Sequence, residues 1–262
     1  MPESFTERNL AGAEFRWVDL SDATFELVML NRARLQQVDL TGVTIRAARL
    51  QDIDISGDLQ NVRVNGIDVG PLVEAELDRR YPERAKLRPT DAAGFRDAWA
   101  VIEELWDGTV ARARDLDPEL LNERVNGEWS FIETLRHLVF ATDAWIRRVM
   151  LGDPSPWDPL DLPFDEMPDT PGIPRDRDVR PTLDEVLALR ADRMATMTQV
   201  LADLTDEQLA EETEPVDAPG WPEPRSYPVS EVLGVIINEE WWHRHFAERD
   251  LDLLTAPPAP RS

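Results

Sequence analysis

Residues 11–50 read AGAEF RWVDL SDATF ELVML NRARL QQVDL TGVTI RAARL, eight five-residue units in succession. The last position of each unit is large and apolar. Carried outward, the series Phe5, Leu10, Phe15, Leu20, Phe25, Leu30, Leu35, Leu40, Ile45, Leu50 and Ile55 holds at all eleven positions. Two places earlier the residues are small or β-branched: Ala13, Val18, Ala23, Val28, Ala33, Val38, Val43, Ala48 and Ile53. The positions between are mostly Asp, Arg, Ser, Thr, Asn and Gln. Neither the 3.6-residue helical period nor the two-residue strand period produces this pattern. A fixed internal period is the mark of a stacked repeat. Each unit here offers one large and one small inward residue to a narrow core.

The pattern resembles the pentapeptide-repeat family, whose motif centres on Leu or Phe with a small residue two places before. The resemblance implies a right-handed β-helix of square cross-section with four repeats per coil. Eleven repeats make just under three coils, about 13 Å tall at the usual strand spacing. Long acidic rods of such repeats mimic duplex DNA. Residues 1–60 carry ten acids against six Arg, a net of −4, on a short rod. That balance favours a small scaffold or dimerisation element over mimicry. Residues 61–69 (NVRVNGIDV) alternate like a strand and are expected to close the last coil. Residues 71–80 read as a capping helix, since a solenoid must cover its ends.

Beyond Pro89 the period becomes helical. Four long helices are expected, over about 91–116, 131–151, 182–204 and 230–254. In the first, Phe95, Trp99, Ile102, Leu105, Trp106 and Val110 recur at three- and four-residue spacing. The second opens on Ser130 with Glu133 three places on, a capping box. Glu133 is therefore read as a cap and not a catalyst. Residues 152–181 hold eight prolines and no helical pattern. A connection that long is either a lid over a site or a plain crossover. The expected architecture is multidomain. A repeat unit with its closing strand occupies 1–70, a capping helix and linker 71–90, and an all-α four-helix bundle 91–256.

Composition narrows the function. The net charge is −24, and Lys86 is the sole lysine. Nucleic-acid affinity rests on cationic side chains displacing counterions, so neither nucleic acid nor an anionic membrane is an expected partner. No apolar run approaches the ~18–20 residues that span a bilayer. The opening MPESFTERNL lacks the charged and apolar regions of a secretory signal. There is no Cys, which removes disulfides, Cys-type zinc sites and a cysteine nucleophile. A cytoplasmic location is expected.

The three histidines are His137, His243 and His245. On the last helix Val232, Val235, Ile236, Glu239, Trp242, His243 and Phe246 form one stripe. It is apolar except for Glu239 and His243, which are four apart and stack one above the other. A carboxylate and an imidazole on an apolar face must be paired or ligate a metal. His137 shares its helix face with Thr134, Phe140, Ala141 and Ala144, and an antiparallel neighbour brings it toward the pair. Spacing alone leaves a metal site and a satisfied core pair both open. His245 lies two residues past His243, about 200° round the helix, and is expected to be solvated or at an interface. Trp241 and Trp145 are read as core or dimer packing, and Glu240 as an exposed charge.

Residues 129–145 (WSFIETLRHLVFATDAW) and 238–251 (NEEWWHRHFAERDL) resemble the DinB/YfiT-like superfamily over about 92–255. The resemblance implies a four-helix bundle holding a divalent metal through one His on the second helix and a pair four apart on a later one. Most members have His-x-x-x-His there. This chain has Glu239-x-x-x-His243, similar to the mycothiol-dependent maleylpyruvate isomerase branch. Carried over by position, the implied ligands are His137, Glu239 and His243. Two imidazoles and a carboxylate suit Zn²⁺, with Ni²⁺, Mn²⁺ or Fe²⁺ as alternatives. Three protein ligands leave an open position, as in catalytic zinc sites. The superfamily further implies a small thiol co-substrate, mycothiol or bacillithiol, and an Arg-rich composition favours mycothiol. Three functions follow as expectations. They are a metal-dependent thiol transferase or isomerase, a metal-binding or stress-response module without turnover, and a metal-assisted hydrolase. A homodimer is expected because the last helix is apolar on more than one face.

Overall fold

A computed structural model describes residues 4–57 and 59–256. Residues 1–3 of the expected repeat unit lie outside the described residues. The chain forms two compact units that divide after Gly57.

In the first unit the five-residue period becomes a regular series of turns. Glu7, Gly12, Trp17, Asp22, Leu27, Arg32, Gln37, Gly42, Ala47, Asp52 and Gly57 all have positive φ, one in every five residues. Most are not glycine, and a left-handed backbone costs such residues roughly 1–3 kcal/mol each. The repeat therefore overrides local preference. Asn9, Asp19 and Asp39 accept hydrogen bonds from the backbone N–H two residues on, at 2.8–3.0 Å. Leu10, Leu20, Leu30 and Leu40 accept through their carbonyls from the residues three further along. Among the described residues of this unit no strand pairing occurs. The apolar column stays open, from 47% exposed at Leu10 to 68% at Ile55.

The second unit opens with a difference from expectation. Residues 61–69 do not form one closing strand. β1 (Arg63–Val64) and β2 (Ile67–Asp68) pair antiparallel. Asn65 and Gly66 turn between them with φ of 50° and 81°. Asn-Gly suits the two left-handed positions of this tight hairpin turn, so the chain reverses where alternation suggested it would run on. α1 (Gly70–Arg80) follows, with Asp68 Oδ1 accepting from the Gly70 N–H at 3.1 Å. Pro82–Leu87 is a short 3₁₀ segment. Its Arg84 pairs with Glu74 and Asp78 and covers the Trp241 ring at 4.7 Å.

The long helices are α2 (Ala92–Arg114), α3 (Phe131–Thr142), α4 (Leu183–Asp203) and α6 (Val229–Thr255). A single turn, α5 (Asp206–Leu209), lies between the last two. Capping boxes start α3 at Ser130 and Glu133 and α4 at Thr182 and Glu185. α3 runs on through Asp143–Met150 in wider i→i+5 turns. Every residue of α3 is buried, and it packs against both α4 and α6. A helix wrapped on all sides must find partners for its polar side chains.

Two of those side chains hold the loops. Arg136 donates to the carbonyls of Leu160, Asp176 and Val179 at 2.8, 2.6 and 3.3 Å. Arg148 donates to those of Pro154, Val216 and Ala218. Phe140 and Ala144 pack with Met167 and Ile173, flanked by Trp157, Phe164 and Trp221. The 152–181 crossover is thus a fastened wall.

Other buried charges of the helical unit pair with each other. Glu240, expected at the surface, is 1% exposed and takes both terminal nitrogens of Arg190 at 3.1 and 2.9 Å. Its helical neighbours Leu233, Ile236 and Ile237 are all buried, so α6 turns this face inward as well. Asp143 accepts the Arg193 fork at 3.0 and 2.7 Å. Burial pushes Asp143 up to about 6, against the pull of Arg193 and Arg147. Asp161 in the crossover is fully buried. Its Oδ2 accepts from the Asp158 N–H at 3.1 Å, while Oδ1 meets no partner among the described residues. Burial raises its pKa far above the usual carboxylate value and the Asp143 charge adds to this. The Asp158 N–H and Arg193 only partly oppose them. Burial and the neighbouring Asp143 charge therefore favour the protonated form of Asp161.

Two outcomes follow. Glu240→Ala leaves the Arg190 guanidinium buried and unpaired, and should lower unfolding stability by about 3–5 kcal/mol. The double change Glu240→Leu with Arg190→Met should recover most of that loss in urea denaturation. For Asp161, a raised folded pKa means the folded chain binds a proton that the unfolded chain releases near pH 4. Its contribution therefore falls as pH rises from there, by up to about 1.4 kcal/mol per pH unit. Asp161→Asn removes that slope. The variant's advantage over the parent should be small near pH 4 and grow as pH rises above it, and a pH-independent difference would contradict the assignment.

Candidate metal centre

His137 sits in the middle of α3, and Glu239 and His243 are one turn apart on α6. The packing of α3 on α6 brings the three together. His137 Nε2 lies 3.3 Å from Glu239 Oε2, and His243 Nε2 lies 3.0 Å from that same oxygen. One donor atom from each of the three falls within 4.8 Å of the others. Among the described residues this is the one such group of His, Cys, Asp or Glu side chains.

The hydrogen bonding of His137 defines the chemistry. Its Nδ1 is 3.0 Å from the Leu162 carbonyl, which can only accept. Nδ1 therefore carries the proton, and in neutral imidazole Nε2 presents a lone pair. That lone pair faces a carboxylate oxygen, itself only an acceptor. Two acceptors this close need a cation between them, or a second proton on the ring. A metal ligand His usually donates its other nitrogen to a carbonyl or carboxylate in this way.

The electrostatics agree with a ligand set. Burial pushes the Glu239 carboxyl up, but its contacts with His137 and His243 outweigh burial and hold it well below the usual range. Glu239 is ionised. Burial drives the His243 pKa down, and Glu239 opposes this only in part. The neutral imidazole that a metal needs is favoured. His137 is enclosed, with its side chain 7% exposed, while His243 and Glu239 are 21% and 31% exposed. The group opens to solvent on the α6 side.

Aromatic rings frame it. The Trp129 ring lies 4.5 Å from His137 and 5.7 Å from His243, nearly parallel to the latter at 16°. Phe140 stands 6.1 Å from His137 and Phe246 6.5 Å from His243.

The other singled-out residues fall elsewhere. Glu133 is buried as the α3 cap and takes the Arg124 fork at 2.5–3.2 Å, so its structural reading stands. His245 points away, as expected, but it is not solvated. It stacks on Trp241 at 5.2 Å and meets Tyr81 edge-on at 5.0 Å. Trp241 is core at 4% exposure, and Trp145 packs against Tyr227. Sequence reasoning missed the Leu162 carbonyl, a backbone atom with no side-chain signal. It also missed Trp129, which stood in the quoted motif without an assigned role.

A family model described as the DinB superfamily matches residues 102–247, more than half of the chain. A pentapeptide-repeat model matches residues 9–46 in eight copies. No curated protein and no solved structure matches. With this match, and with the His/Glu/His group in place, the chain belongs to the DinB superfamily, its helical domain preceded by pentapeptide repeats.

Proposed function

We propose that the helical unit binds one divalent metal, most simply Zn²⁺, through His137 Nε2, Glu239 and His243 Nε2. The proposed use is to activate a small exogenous thiol for transfer or isomerisation. The observation that carries the metal reading is that His137 Nε2, with Nδ1 committed to the Leu162 carbonyl, lies 3.3 Å from a carboxylate oxygen that also faces His243. α2, α3, α4 and α6 are read as the four members of a DinB-type bundle. The left-handed residue at every fifth position supports reading the repeat as a β-helix scaffold.

Three protein ligands leave coordination positions free. A bound divalent metal lowers the pKa of a thiol or water that reaches it. This chain has no Cys, so the thiol must come from solution, and mycothiol is the proposed co-substrate. The chain's own part is to hold the site. Leu162 fixes the His137 tautomer, the His137 and His243 rings confine Glu239, and the fastened crossover closes the α3 side to water. The exposure of Glu239 and His243 leaves the α6 side for substrate. A second reading, a metal-holding module without turnover, is favoured by the Trp129 ring beside both imidazoles.

Metal analysis of purified protein should give about one divalent ion per chain. His137→Ala should reduce this to background without unfolding the protein. Unchanged metal content in that variant would refute the site. Loaded protein is then assayed for conjugation of mycothiol to a generic electrophile. Turnover that disappears in His137→Ala supports the transferase, and metal binding with no turnover supports the second reading.

A further inference from the structure

Trp129 is the residue just before the cap of α3. Its ring lies 4.5 Å from His137 and 5.7 Å from His243, yet its indole Nε1 is buried and meets no acceptor among the described residues. A buried donor without an acceptor costs about 1–3 kcal/mol. Other indoles differ. Trp99 Nε1 donates to Thr198 Oγ1 at 3.0 Å. Trp106 Nε1 also lacks an acceptor, but that residue is 3% exposed in the bundle core under the Arg190 guanidinium. Trp129 instead borders the one group of ligand-type side chains that opens to solvent.

Arg124, five residues before Trp129 in the chain, is spent on Glu133, to which it gives three hydrogen-bond contacts. The face of the indole is also taken, since the His243 ring lies along it. What remains is the polar edge.

We propose that the Trp129 N–H is a binding donor for the exogenous group at the metal. It would select a compact anion with an exposed lone pair, such as a thiolate, hydroxide or carboxylate. This rests on the metal reading above and adds the residue that recognises the incoming ligand. A hydrogen bond from a neutral donor to such an anion is of the charge-assisted kind, stronger than one between neutral groups.

The test uses the full chain loaded with Co²⁺, with azide as the probe anion and the visible Co²⁺ spectrum as the readout. Trp129→Phe keeps an aromatic ring and removes the N–H. Co²⁺ affinity should be retained, while the azide Kd should weaken by about 10-fold or more, where tenfold corresponds to about 1.4 kcal/mol. Retained Co²⁺ with an unchanged azide Kd overturns the proposal. A second measurement does not depend on the variant folding. In unsubstituted, Zn²⁺-loaded protein labelled with ¹⁵N at the indoles, azide should move one indole N–H signal downfield, and only with metal present. No metal-dependent shift also overturns it. Failure of the unsubstituted chain to bind Co²⁺ would instead defeat the metal reading, a result distinct from either of these.

Discussion

The helical unit is governed by the burial of α3 on every side. A helix of this kind ordinarily carries only apolar residues, because an unpartnered polar group in a low dielectric costs several kcal/mol. α3 and its wider-turned extension carry Arg136, His137, Asp143 and Arg148, all buried. Each must draw a partner inward. Asp143 draws Arg193 from α4, and His137 draws the Leu162 carbonyl on one side and Glu239 on the other. The two arginines draw loop backbone. The placement of α4, α6 and the crossover around α3 is one solution to these demands, and the His137/Glu239/His243 group is part of it.

This explains what could be read from the residues and what could not. The starts of α3 and α4 were legible because Ser130 with Glu133 and Thr182 with Glu185 are local signals. His137, Glu239 and His243 were legible because the i, i+4 pair interrupts an apolar stripe and the surrounding motif resembles a family. Glu240 was misplaced because the second apolar face of α6 was assigned to a dimer contact and not to the core. Leu233 and Ile237, both buried, mark that second face in the sequence. The hairpin at Asn65 and Gly66 was also visible, but alternation among Val62, Val64, Ile67 and Val69 was given more weight than the turn dipeptide. Nothing in the side chains announces that the Leu162 carbonyl orients His137, or that Arg136 reaches across the crossover. Those contacts exist only after the chain is folded.

The repeat unit obeys a different logic. Its period comes from a backbone device repeated every five residues, and the side chains at the left-handed positions range from Gly to Trp and Leu. Sequence is constrained there chiefly at the large and small apolar positions, which is why the pattern was readable over eleven units. The helical unit has no such redundancy, and each of its buried charges has a single partner set.

The attachment of the crossover by Arg136 and Arg148 has a bearing on how this chain can vary. Both arginines hold main-chain carbonyls, and every residue type has one. Substitutions along 152–181 that preserve backbone course leave the fastening intact, whatever side chains they introduce. The wall beside His137 can therefore change its chemical character without coming loose from the bundle. The connection before α6, which Arg148 also holds, is less free, since a Cβ at Gly220 would lie 2.5 Å from the Arg148 guanidinium carbon. Such an arrangement separates the means of holding a loop from the means of using it, and gives the His/Glu/His group an adjustable border on a fixed frame.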